Sequence, residues 1–254
     1  MRLKAIVLNT FKEAARNRIF YLLIAFGILF ALSSRLVSLL TIGDTVKVLK
    51  DIGLAAINFF SVLVAVFTGI NLVYKEIDKK TIYNLLSKPI SREQFIIGKF
   101  LGLALTVLAA LAAMALVFFL FLLLTTGSFD APILLYFLML YFELLIIIAI
   151  SLLFSSFSTP ILSSIFTLSL YLIGHVLWTY NEFKYKLTEP AGRYLSDVLY
   201  YILPNLEKFN IKNAVVMKIP VAGDQILNAM LYALAYILSV LALSIAIFRR
   251  REFP

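Results

Sequence analysis

Two side chains in this sequence are placed where their chemistry would matter. Glu143 lies in the middle of the apolar run PILLYFLMLYFELLIIIAISLLF, the one clear ionisable group inside such a run. A charge there is costly to bury, so it reads first as a proton or cation site. The plainer reading is a protonated glutamic acid hydrogen-bonded to a neighbouring helix or subunit. A secondary transporter usually carries more than one intramembrane charge, together with helices broken at the midplane. Glu143 alone therefore favours the plainer reading. The single histidine, His175, precedes Trp178 and Tyr180. Such rings commonly form a membrane-interface belt, and this ranks ahead of a ligand or catalytic role. The sequence has no His-Glu-x-x-His, no carboxylate pair in a span, no Gly-x-Ser-x-Gly elbow and no cysteine. Thiol catalysis, disulfides and zinc thiolates are excluded, and no catalytic, cofactor or metal residue is nominated. The phosphate-cradling Gly-x-x-x-x-Gly-Lys-Ser/Thr sequence is also missing, so any ATP-driven engine must be another chain.

The second place to look is residues 74–99, YKEIDKKTIYNLLSKPISREQFIIGK. Glu76 and Asp78 stand ahead of Thr81. Ile82, Leu85 and Leu86 then share one face at helical spacing. Pro89 ends that turn, because proline lacks an amide donor and clashes with the preceding turn. Ser91 can cap a new helix, with Gln94 as its capping-box partner three residues on. Arg92, Phe95, Gly98 and Lys99 follow. The segment reads as a short helix, a break, and a helix re-entering the membrane. Exposed leucines on such a helix make a knob that another protein can grip. As a bare solvated loop, the same leucines would face lipid headgroups.

These groups need a scaffold, and composition supplies one. The chain has 254 residues, 62% hydrophobic and 15% charged. A soluble domain is roughly 45–50% apolar and about 25% charged. The fold class is therefore all-α: one polytopic transmembrane domain over 1–254. A span takes roughly 20 apolar residues. Six are expected, at 19–42, 52–73, 100–126, 132–154, 160–178 and 225–248. Asp51 and Asp224 are placed to cap the second and sixth. Asp130 with Pro132, and Thr159 with Pro160, give a cap and a first-turn proline to the fourth and fifth. Arg35 near the end of the first span can reach the surface.

Residues 1–18 do not resemble a signal peptide. Leu3, Ile6, Val7, Phe11, Ala14 and Ala15 form one face, opposite Asn9, Lys12, Glu13 and Arg16. That pattern is an interfacial amphipathic helix, or else the first cytoplasmic turn of span 1. Lysine and arginine collect in 1–18, in 74–99 and after the last span, which puts both termini in the cytoplasm. The net charge of +9 follows this topology and forms no nucleic-acid stripe. The loop 179–223 then lies outside. Tyr194, Leu195, Val198, Leu199 and Ile202 share a face there, and 208–216 reads as a second short helical piece. An amphipathic lid on the outer leaflet is the expected form.

The segment 74–99 resembles that of membrane subunits of type-two ABC exporters. Their loop between spans 2 and 3 carries a glutamate, Gly-Thr, a paired-leucine helix, Pro-x-Ser-Arg, then Gly-Lys. The matching residues are Glu76, Thr81, Leu85, Leu86, Pro89, Ser91, Arg92, Gly98 and Lys99; Lys80 stands where that family usually has glycine. The overall plan is similar across most of the chain. Residues 155–160 (SSFSTP) and 203–210 (LPNLEKFN) resemble the branch associated with copper-enzyme maturation.

The resemblance implies a permease subunit in a prokaryotic inner (plasma) membrane. Two copies would pair, each on a separate ABC ATPase that binds the ATP. Residues 81–86 would be the coupling helix. Ile82, Leu85 and Leu86 would supply contact energy, and Glu76, Asp78 and Arg92 would set register. An ion-coupled transporter using Glu143 is the runner-up, and an integral membrane enzyme or scaffold ranks last.

Overall fold

The computed structural model describes residues 2–16, 25–27, 29–30, 45–78, 91–127, 130–179 and 190–250. Among them there is helix and no strand. The main helices are α1 (Arg2–Arg16), α2 (Thr45–Asp78), α3 (Arg92–Thr126), α4 (Pro132–Ser155), α5 (Pro160–Val176), α6 (Pro190–Ile202), α7 (Lys212–Val216) and α8 (Gly223–Arg250). Short 3-10 turns occupy Leu177–Thr179 and Leu206–Phe209. Among the described residues, four helices are long and apolar enough to cross a membrane: α2 over Thr45–Ile70, α3, α4 and α8. Helix α5 is apolar but has only 17 residues, about 25 Å at 1.5 Å per residue. The first expected span, 19–42, lies outside the described residues except for the helical pieces at 25–27 and 29–30.

Helix α4 is the axis of the bundle. Its sequence is apolar on every side, the pattern of a helix surrounded by others. Helices α2, α3, α5 and α8 pack around it. Phenylalanines fill the space between α2 and α3. Phe26 and Phe30 are 1% and 2% exposed. The Phe30 ring meets those of Phe118 and Phe121 at 5.7 Å and 5.0 Å, tilted and edge-on. Such geometry aligns ring edges with ring faces.

Several caps differ from those expected. Asp51 lies inside α2, which begins at Thr45, and pairs with Lys212 at 2.9 Å. The N-cap of α4 is Ala131, without a side-chain cap bond; the Asp130 carboxylate pairs instead with Lys50. Thr159 holds the N-cap position of α5 in extended backbone, but its side chain makes no cap bond. Asp224 falls in the first turn of α8, where a negative charge faces the positive end of the helix dipole. At α4, α5 and α8 a proline or carboxylate still marks the helix start, whereas Asp51 does not mark that of α2. Ion pairs to distant lysines displace the local bond at Asp51 and Asp130.

The chain therefore has two ends, an Arg92 end and an Asp130 end. Helices α2, α3, α4 and α5 alternate between them. Helix α1 lies against α3 at the Arg92 end.

Candidate functional site

At the Arg92 end, α3 starts on a complete capping box. The Gln94 backbone N–H donates to Ser91 Oγ at 3.2 Å, and the Ser91 N–H donates to Gln94 Oε1 at 3.4 Å. Two of the free amides at this helix start are thereby satisfied. Arg92 then reaches across to α8. One guanidinium nitrogen donates to the carbonyl oxygens of Phe248 at 3.0 Å and Arg249 at 2.7 Å. The last carbonyls of a helix have no partner within it and carry its negative dipole end, so a cation belongs there. The Phe95 and Phe248 rings stack at 5.6 Å, and Glu93 pairs with Arg249. This last pair is exposed and contributes at most about 1 kcal/mol. The buried stack and the Arg92 donors form the stronger joint.

Helix α1 closes on the same turns of α3. A Cβ on Gly98 would lie 2.7 Å from Ile6 Cγ2, and one on Gly102 would lie 2.5 Å from Thr10 Cβ. Only glycine lets the two backbones approach this closely. Ile6, Thr10 and Ala14 are buried in consequence. The buried stripe of α1 thus runs through Thr10 and faces α3, while Leu3 and Leu8 remain exposed. Lys99 is also buried, its Nζ 5.8 Å from the Phe95 ring centroid.

Of the residues nominated in 74–99, Ser91 and Arg92 are therefore placed at this joint. Glu76 and Asp78 extend α2 by its last turns. Thr81, Ile82, Leu85, Leu86 and Pro89 lie outside the described residues.

The second constellation lies deeper, towards the Asp130 end. Glu143 Oε1 is 3.1 Å from His175 Nε2, and Glu207 Oε2 is 3.1 Å from His175 Nδ1. One imidazole is held between two carboxylates. The Glu143 side chain is 2% exposed, that of His175 22% and that of Glu207 33%. The row runs from the core of the bundle to its surface. Glu143 thus has the helix-neighbour hydrogen bond expected of it. His175 corrects its own expectation: it turns inward to bridge the carboxylates instead of lying in a belt. The Tyr171 and His175 rings meet edge to face, their centroids 4.8 Å apart. The Tyr171 hydroxyl donates to Asn58 Oδ1 of α2 at 2.9 Å, and Asn210 Nδ2 donates to Glu207 Oε1 at 2.9 Å.

Glu207 was not legible as a site residue, because it sits in a loop. The segment around it is not a lid. Leu206 and Phe209 are 0% and 1% exposed. Burying each from water contributes about 1.5–3 kcal/mol. Leu206 seats on Gly174, where a Cβ would lie 2.7 Å from Leu206 Cγ. Two tyrosines one turn apart on α8 hold the backbone: the Asn205 N–H donates to the Tyr232 hydroxyl at 2.9 Å, and the Tyr236 hydroxyl donates to the Ile202 carbonyl at 3.1 Å. Lys208 lies 4.2 Å over the Tyr232 ring, a cation–π contact. The second piece is a 3-10 turn and the short α7, rather than one helix over 208–216. Helix α6 leaves apolar side chains outward, with Tyr194, Leu199 and Ile202 exposed.

Among the described residues, no group of three or more His, Asp or Glu side chains suits a metal ion. The two carboxylates approach opposite ring nitrogens, so they cannot converge with the imidazole on one ion. What this row can hold is protons. A family described as "ABC-2 family transporter protein" matches residues 4–253. No curated protein matches the chain.

Proposed function

Because the chain belongs to the ABC-2 family of transporter proteins, we propose that it is the permease subunit of an ATP-driven exporter. It works with a separate ATPase subunit, as two copies of this chain side by side. Each copy has six spans with both termini in the cytosol of a prokaryotic cell. The segment 74–99 docks in the ATPase through Ile82, Leu85 and Leu86, with Glu76, Asp78 and Arg92 setting register, Thr81 opening the coupling helix and Pro89 ending it. The copper-enzyme-maturation branch is the sub-group that residues 155–160 and 203–210 suggest.

One observation carries this reading: the α3 start that follows the docking segment is joined to α1 and α8 at once. A push on 74–99 enters at Ser91 and Arg92. From there it reaches α8 through Phe248 and Arg249, and α1 through Gly98 and Gly102. The ATPase shifts the membrane helices only as far as its affinity differs between their arrangements. A stiff joint wastes little of that difference. The alternative, an ion-coupled transporter using Glu143, is not favoured. Helix α4 runs unbroken from Pro132 to Ser155 through Glu143, whereas such sites are usually built from interrupted helices.

The test replaces Leu85 and Leu86 with aspartate. Membrane insertion is expected to persist while co-purification with the ATPase falls to background. Retained co-purification would end the docking assignment.

A further inference from the structure

A neutral imidazole has one N–H and one lone pair. His175 faces a carboxylate oxygen at 3.1 Å from each ring nitrogen. If both carboxylates are ionised and the ring is neutral, one of these contacts sets lone pair against lone pair. One further proton turns both contacts into charge-assisted hydrogen bonds. We propose that Glu143, His175 and Glu207 bind one exchangeable proton, and that its occupancy clasps residues 203–216 into the bundle.

The proton comes from water at Glu207, whose side chain is one-third exposed, and rests on the imidazole between the carboxylates. Uptake forms one ring N–H, turns a solvent hydronium back into water, and changes the charge of the row from −2 to −1. The neighbouring titratable groups already have partners. The Tyr171 hydroxyl bonds Asn58, and that of Tyr136 bonds the Leu54 carbonyl at 3.0 Å. Asp51 is paired with Lys212, and Lys208 lies over Tyr232. Among the described residues, no cation is thus in contact with the row to replace the proton. When pH rises and the proton leaves, the one remaining ring N–H stays with Glu143, the more deeply buried carboxylate, and a ring lone pair is left against Glu207. The loop piece carrying Leu206, Phe209 and Val215 then loosens.

The chain has no cysteine and one histidine, which makes both sides of this proposal readable. Val215 is 3% exposed and Asn213 is exposed. V215C and N213C, each in the otherwise native full chain in vesicles, are labelled with a membrane-impermeant maleimide. Their rate ratio cancels the thiol's own pH response. From about pH 5 to about pH 9, which spans the interval of about pH 5 to 8 where histidine changes charge, the ratio is expected to rise several-fold. The ring nitrogens of 15N-histidine should lose a proton over the same interval. E143Q and E207Q each put an amide donor against one ring nitrogen and leave the ring N–H for the other carboxylate. Both contacts then form without the extra proton, so the ratio should stay low and flat with pH. The proposal is overturned by a ratio flat in the parent while the imidazole titrates. A parent-like pH response in both variants, or a high flat ratio in both, overturns it equally.

Discussion

At the level of single residues, the sequence announced Glu143 and concealed Glu207. A carboxylate in an apolar run stands out because burying it alone costs several kcal/mol. A carboxylate in a polar loop carries no such signal. Its role depends on Leu206 and Phe209 drawing the loop inward, and on Gly174 leaving room. Asp51 and Asp130 misled for a related reason. Each stands where a helix cap belongs, but each pairs with a lysine far away in sequence: Lys212, and Lys50 at a separation of 80 residues. The seat at Gly174 gives a direct residue-scale prediction. Gly174→Ala puts a methyl 2.7 Å from Leu206 Cγ and from the Pro204 carbonyl oxygen. Overpacking of this kind costs about 1–3 kcal/mol. The thermal midpoint of the purified protein should fall, and V215C should label faster at every pH. An unchanged midpoint and labelling rate would show that the loop tolerates a shifted seat.

At the level of elements, apolar length located the long helices but not their ends. Helix α2 begins at Thr45 rather than near Ile52, because the polar stretch TVKVLKD is helical through its packing and cross-ties. Ser91 and Gln94 were readable because a capping box is local, needing only residues three apart. The seat of α1 was not. Its amphipathic face was visible, but the choice between lipid and protein rested on Gly98 and Gly102, some ninety residues later. A leucine at Gly102 should lift α1 from α3, since its Cβ alone would lie 2.5 Å from Thr10. Thr10 is fully buried. T10C should therefore resist maleimide in the parent background and react readily when Gly102→Leu is added. Equal protection in both would mean that α1 is held by something other than this glycine pair.

At the level of the whole molecule, α8 links the two constellations. It has 28 residues, about 42 Å of helix. Towards its middle Tyr232 and Tyr236 hold the inserted loop, and at its last turn Phe248 and Arg249 receive Arg92. A displacement at the Arg92 end therefore has a continuous path to the loop that bears Glu207. Continuity alone is not coupling; coupling requires that both ends bias the same pair of arrangements. The combination can be tested on the assembled complex with its ATPase. Addition of a non-hydrolysable ATP analogue should change V215C labelling by about twofold or more, equivalent to about 0.4 kcal/mol or more. Arg92→Ala removes the donors to α8 while leaving Leu85 and Leu86 in place. It should keep the ATPase bound and abolish the response at V215C. If the response survives in that variant, the path does not run through Arg92, and α3 must act on α4 directly. If the parent shows no response, the inserted loop answers to protons alone, and the two ends of the bundle work independently.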